Sequence, residues 1–306
     1  MQTKQTQTKT IKRNISGWLI LNKPYDVGST EAVSKCRWLM KAKKAGHAGT
    51  LDPLATGILP IAFGEATKTI PYVQDCTKIY RFTLVWGVET STDDLEGEVI
   101  ATSDVRPSKE QVLAVLPKFC GIITQVPPAF SAVKINGERA YDLARAGKKF
   151  EMPSREVEID SFTLFAHDEK QSSFEVVCAK GTYIRSLARD LALELGTKGH
   201  VGSLHRVAVG HFTEDNAISL EEFEQAEDDL RDEMLLPVAF GLDDIEEIRI
   251  DAAQAITIRL GNPVLLTGAN APIKINLAWA SYKGEAVAIG YVEKGQFKPK
   301  RVILVG

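Results

Sequence analysis

The sequence predicts a mixed α/β chain: a large α+β domain followed by a small, mainly β module. Runs rich in aromatic and β-branched residues recur between capped amphipathic stretches through the first 240 or so positions. From Pro263 onward short strands and turns dominate. At 306 residues the chain exceeds the usual size of one domain, so a large domain with a smaller companion is the default.

Taken in order, Met1 to Thr10 is polar and lacks the apolar stretch of a secretory signal, which predicts a disordered basic tail over residues 1–13. Ser16 to Pro24 holds a short apolar run closed by proline, a buried strand that leaves Lys23 at its end. Ser29 or Thr30 then caps a helix with Val33, Cys36, Leu39 and Met40 on one face and Lys35, Arg37 and Lys41 opposite or flanking. That helix leads into Gly46-His47-Ala48-Gly49-Thr50-Leu51-Asp52-Pro53-Leu54-Ala55-Thr56-Gly57. Three glycines and a proline there exclude a regular helix and predict a loop. The proline restricts the residue before it to an extended conformation, which fixes where the Asp52 carboxylate points.

Gly57 to Gly64 reads as a buried strand, and Glu65 to Ile70 as at most a short helical turn ended by Pro71. Lys78 to Gly87 has strand composition, with Tyr80 and Phe82 on one face. Thr90 to Glu98 is a polar loop. Ser108 with Gln111 forms a capping box for a short helix. Asn136-Gly137 signals a hairpin turn within a basic excursion, residues 131–149, that carries Lys134, Arg139, Arg145, Lys148 and Lys149. Phe174 to Gly181 is a strand. Thr182 to Gly196 is a helix with threonine at its N-cap and glycine after its C-terminus. Arg185 falls in its first turn, where the helix dipole disfavours a cation, so a buried carboxylate is the expected partner. Ser219, boxed with Glu222, starts an acidic helix running to about Glu233. A charged linker follows near residues 243–247, and a last strand is expected over 301–305.

Composition bounds the function. Hydrophobic residues at 44% and charged residues at 25% describe an ordinary globular protein, and no apolar run approaches membrane-spanning length. Four scattered cysteines without a C-x-x-C pair argue against a zinc ribbon or a secreted disulfide scaffold, and fit the cytoplasm. The net charge of −3 hides a strong asymmetry: residues 1–50 carry +8 and residues 214–247 carry −13. Such a split fits a polyanionic partner, and equally two solvated surfaces of opposite sign.

The histidines show no metal-ligand spacing, and no phosphate-binding glycine motif occurs, so neither a metal nor a nucleotide cofactor is indicated. What remains is one aspartate on a constrained loop, a nearby histidine, a strand tyrosine and a helix-start arginine. A lone aspartate kept ionised by an arginine suits nucleophilic attack or proton abstraction at a sugar or base. The same residues also fit a tight turn and ordinary surface pairs.

Gly46-His47-Ala48-Gly49-Thr50-Leu51-Asp52-Pro53, with Lys23-Pro24 before it and Tyr80-Arg81 and Lys180-Gly181-Thr182-Tyr183-Ile184-Arg185 after it, resembles the TruB family of tRNA pseudouridine synthases. The resemblance implies the pseudouridine synthase fold, a mixed, largely antiparallel central sheet with flanking helices over residues 14–246, plus a PUA-like all-β RNA-binding domain over 247–306. It implies isomerisation of uridine 55 in the T loop of tRNA, without metal or cofactor. Asp52 corresponds to the catalytic aspartate and Arg185 to its ion-pair partner. Tyr80 would stack on the extruded uracil, Tyr183 and Leu204 would line the pocket, and His47 would fill the space left by the flipped nucleotide. Lys23 would support the floor, and 131–149 would be a thumb gripping the T arm. Ala48 stands where the family often has threonine, and His205 where it usually has arginine. The resemblance favours a monomer acting on the tRNA T arm with no guide RNA and no membrane. An RNA-binding or folding module and a guide-RNA-dependent synthase are the alternatives.

Overall fold

A computed structural model describes residues 12–268 and 270–304; the first eleven residues of the expected tail lie outside them. Strand β1 (Gly17–Lys23) is buried on both faces, Trp18 to Leu21 being at most 1% exposed, which is why it reads as a continuous apolar run. Helix α1 (Ser29–Leu39) is capped by Gly28 with no side-chain cap, against the expectation for Ser29 or Thr30. The Ser29 hydroxyl instead bonds the backbone of Leu51. Strand β2 (Ala45–His47) takes the start of the predicted loop, and β3 (Thr56–Phe63) takes its end. The true loop is therefore 48–55.

Pro71 opens helix α2 (Ile70–Asp75) rather than ending a turn, because the first helical turn needs no proline N–H. Strand β4 (Lys78–Trp86) follows. A hairpin of β5 (Val88–Thr90) and β6 (Val99–Thr102) closes over a turn in which Thr92, Asp93 and Asp94 are buried. The predicted capping box forms on α3 (Lys109–Val115), which precedes β7 (Gly121–Gln125). In the excursion, β8 (Lys134–Ile135) and β9 (Glu138–Arg139) pair across Asn136 and Gly137, with φ of +51° and +91°, the geometry for which Asn-Gly is selected. Helix α4 (Ala140–Arg145) completes it.

Strands β10 (Arg155–His167) and β11 (Gln171–Cys178) form a long hairpin. Helix α5 (Ile184–Glu194) is capped by Tyr183 with no side-chain bond, the Thr182 hydroxyl donating to the Ala179 carbonyl instead. Strand β12 (Gly199–Val209) and the short β13 (Ile218–Ser219) complete the nine-stranded sheet, ordered β13-β1-β3-β12-β4-β11-β10-β7 with β2 beside β3. Only β1–β13 and β3–β12 run parallel, so the sheet is largely antiparallel, as expected.

The acidic segment forms two helices, α6 (Leu220–Gln225) and α7 (Asp228–Glu233), not one. Glu227, Asp228 and Asp229 would oppose the dipole in the second half of one long helix. At the start of a second helix they favour it. The C-terminal unit holds β14 (Glu246–Arg249), α8 (Ala252–Arg259), β15 (Val264–Leu265), β16 (Lys274–Tyr282), β17 (Glu285–Glu293) and β18 (Gln296–Val302). The first strand falls on the expected charged linker, and the last ends at residue 302 instead of 305. Its five-stranded sheet is ordered β14-β16-β17-β18-β15. Trp279, Ile289 and Ile303 join Trp18 and Phe212 in a core shared with the large sheet. Among the described residues no helix is long and apolar enough to cross a membrane.

Candidate active site

The loop between β2 and β3 is held from behind at four of its residues, Gly49, Thr50, Leu51 and Pro53. Lys23, fully buried at the end of β1, donates from Nζ to the carbonyls of Pro24, Val27 and Pro53, at 2.8, 2.6 and 3.1 Å. Ser29 bonds both the N–H and the carbonyl of Leu51. Arg206, 1% exposed on β12, donates to the carbonyls of Ile58, Gly49 and Thr50, at 2.7, 3.0 and 3.4 Å. A buried backbone carbonyl left unpaired is costly, so these three side chains fix the loop that carries Asp52. Gly57 allows it to close: its φ is +100°, and a Cβ there would lie 2.2 Å from the Arg206 carbonyl oxygen.

Asp52 faces Arg185. Nε of the arginine lies 2.9 Å from Asp52 Oδ2, a close ion pair whose N–H points off the oxygen. Nη1 lies 3.5 Å from Asp94 Oδ2 and donates to the Thr92 carbonyl; Nη2 donates to the Phe130 carbonyl. One turn on, Arg189 meets Asp93 at 3.1 Å and the Val126 carbonyl at 2.9 Å. The unfavourable placement of Arg185 in the first turn of α5 is thus compensated by two carboxylates, as the sequence predicts for one. Burial raises the Asp52 pKa, Arg185 opposes that, and Asp94 adds to it; the net direction is upward. Burial also pushes Asp93 up to about 6, against the pull of Arg189 and Arg185.

Asp52 and Arg185 line a cavity of 660 Å³ together with Tyr80, Tyr183, Leu204 and Arg206, and Ser131 and Ala132 close it from the basic excursion. This volume suits a nucleotide-sized ligand. Burial raises the Tyr80 hydroxyl pKa, and the Tyr183 ring is braced by the Arg155 guanidinium 4.7 Å from its centroid. Four of the expected site residues besides Asp52 therefore converge on one cavity.

Two do not line it. Lys23 sits behind the loop, its pKa lowered to about 8 by burial, and acts on the loop backbone. His47, at the end of β2, has a buried Nδ1 without a partner; burial and then Arg206 lower its pKa, so the imidazole is neutral near pH 7. It is not a partner of Asp52. His205 bonds Thr56 and Glu214, at 2.7 and 2.9 Å, a local structural contact. Sequence reading passed over Ser29, Asp93, Asp94 and Arg206. Their one signal was polar residue types beside apolar strand and helix positions, too common to single out. No cluster of His, Cys, Asp and Glu among the described residues could hold a metal ion.

Residues 37–184 match the TruB family pseudouridylate synthase N-terminal domain, and residues 185–243 the tRNA pseudouridylate synthase B C-terminal domain. The chain is 53% identical to a Brucella anthropi protein named tRNA pseudouridine synthase B, over 96% of this chain and 97% of that one. A Sinorhizobium medicae protein of the same name is also 53% identical, covering 95% of this chain and 96% of its own. Among solved structures, one of a Cbf5-Nop10-Gar1 complex aligns over 94% of this chain and 85% of that chain, with a TM-score of 0.73 and 23% identity, a likeness of fold. On these matches the chain belongs to the TruB family of pseudouridylate synthases.

Proposed function

We propose that the protein isomerises the uridine at position 55 in the T loop of tRNA to pseudouridine. The observation that carries this reading is the Asp52–Arg185 ion pair in a nucleotide-sized cavity beside Tyr80. In the reaction the C1′–N1 glycosidic bond breaks, the uracil turns, and a C1′–C5 bond forms. C5 gives up a proton and N1 regains one, so no atom is gained or lost. Asp52 acts at the sugar and Arg185 keeps it ionised.

A stacked base is out of reach, so the uridine must leave the T loop at a cost of about a few kcal/mol. Stacking on Tyr80, worth roughly 1–3 kcal/mol, offsets much of that. Tyr183 and Leu204 frame the base, and His47, neutral and at the cavity's edge in sequence, fills the gap in the RNA. Residues 131–149 serve as the thumb, binding T-arm phosphates, with 14–246 as the catalytic unit and 247–306 as a PUA-like RNA-binding domain. The protein acts as a cytoplasmic monomer without guide RNA. Purified protein is incubated with an unmodified tRNA transcript tritiated at uridine C5. Release of one tritium per tRNA, with pseudouridine at position 55, is expected; absence of release, or pseudouridine elsewhere, contradicts the reading.

A further inference from the structure

The charge asymmetry of the chain becomes spatial in the fold. Lys35 of α1, Lys41 just after it and Arg13, whose N–H bonds the Lys41 carbonyl, pair with Glu224, Asp228 and Asp232 of α6 and α7. Arg231 stiffens the acidic face, bonding Asp228 at 2.7 Å and the carbonyls of Phe223 and Glu224, at 2.8 and 2.9 Å, across the break between the helices. The three bridging pairs are each about 33–46% exposed. Pairs so placed contribute only about 0–1 kcal/mol each, so stability is a weak reason for three of them on one face. Their effect on the surface field is larger. They cancel three cations that would otherwise face solvent on a strongly basic stretch.

The cancellation is confined to the side of α1 that meets α6 and α7; Arg37, exposed on the same helix, has no carboxylate partner among the described residues. Lys43 and Lys44, exposed just before β2, have no carboxylate partner among the described residues, and neither do Lys134, Arg139 and Arg145 on the excursion, where Lys148 pairs with Glu138. Of the cations lining the cavity, Lys180 and Arg185 pair with Asp75 and Asp52, whereas Lys78, Arg155 and Arg206 have no carboxylate partner among the described residues.

We propose that α6 and α7 form an electrostatic shield: they neutralise the α1 face so that RNA is held at the cavity side and excluded from a second, non-productive polyanion site. This rests on the reading of the protein as an RNA-modifying enzyme. Glu224, Asp228 and Asp232 are therefore specificity residues that touch no substrate.

The test uses the full chain and a 20-nucleotide oligo(A) as a non-cognate probe, titrated between about 50 and 300 mM salt. In Glu224→Gln/Asp228→Asn/Asp232→Asn three freed cations steepen the slope of log affinity against log salt by about 2, and tighten binding at least about tenfold at the lowest salt. Adding Arg13→Gln, Lys35→Gln and Lys41→Gln to that variant returns both to the wild-type values. The control Asp104→Asn/Glu169→Gln/Glu285→Gln, with the same change in net charge, leaves the slope unchanged. If the acid triple fails to fold, Glu224→Gln alone steepens the slope by about 0.7. An unchanged slope, a gain that survives removal of the cations, or an equal gain in the control overturns the shield. Turnover of T-arm RNA by the wild type is measured in parallel: its absence counts against the proposed reaction, while the oligo(A) titration judges the shield.

Discussion

Replacing Lys23 with methionine separates a loop-holding role from a surface one. The ammonium is fully buried, faces no carboxylate within ion-pair distance among the described residues, and donates to three carbonyls, one of them Pro53 next to Asp52. Its fall from 10.5 to about 8 corresponds to about 3 kcal/mol of desolvation cost at pH 7. Three bonds from a charged donor, at about 1.5–3 kcal/mol each, outweigh that. Lys23→Met is therefore expected to lower stability by about 2–5 kcal/mol, within the ~5–15 kcal/mol of a typical domain, so the variant folds. The freed loop costs about 10–100-fold in turnover with RNA affinity within about threefold, since a shift of about 1 Å in a catalytic group has that effect.

The sign with pH is fixed. The folded pKa lies below the unfolded one, so the unfolded chain holds more protons between pH 8 and 10.5, and the wild type gains stability as pH rises through that window. The variant lacks this component. Urea denaturation of both proteins at pH 7 and pH 10 is expected to show the gap widening by up to about 3 kcal/mol. A gap that stays constant, or a variant as stable and as active as the wild type, refutes the role assigned to Lys23.

Arg185→Lys keeps the charge but loses the fork that meets Asp52, Asp94 and two carbonyls. Turnover should fall about tenfold or more with little change in binding, and the acid limb of the pH–rate profile should move to higher pH as Asp52 becomes harder to ionise; an unmoved limb counts against the pair. Gly57→Ala places a Cβ against the Arg206 backbone at a positive φ. Its stability loss, read from the urea midpoint, should exceed the ~3 kcal/mol that bounds most single substitutions.

The strands were legible wherever period and composition agreed. β1, β4 and β11 are apolar or β-branched runs with nothing to compete, and the Asn-Gly hairpin and the Ser108 and Ser219 capping boxes are local signals with local outcomes. Three expectations failed, one to a tertiary contact and two to competing local ones. Ser29 gave up a cap to hold Leu51, Thr182 turned back to Ala179, and the acidic helix broke so that its carboxylates could begin a new helix. Helix α8 was missed although Asp251 and Gln254 form a capping box. The cavity lining was legible in Asp52, Tyr80 and Arg185, because their residue types and motifs single them out. Asp94 and Arg206 were not legible: they lie 42 and 154 positions from Asp52 and meet the loop or its arginine only through the fold.

The central claim is that Asp52 performs the chemistry in a cavity other residues hold ready. It is tested most directly by Asp52→Asn, measured for tritium release from T-arm RNA under single turnover and, separately, for RNA affinity. The account predicts release reduced by more than about a thousandfold with affinity within about threefold, the pattern of a group acting in the transition state and not in binding. Tritium release near the wild-type rate would contradict it.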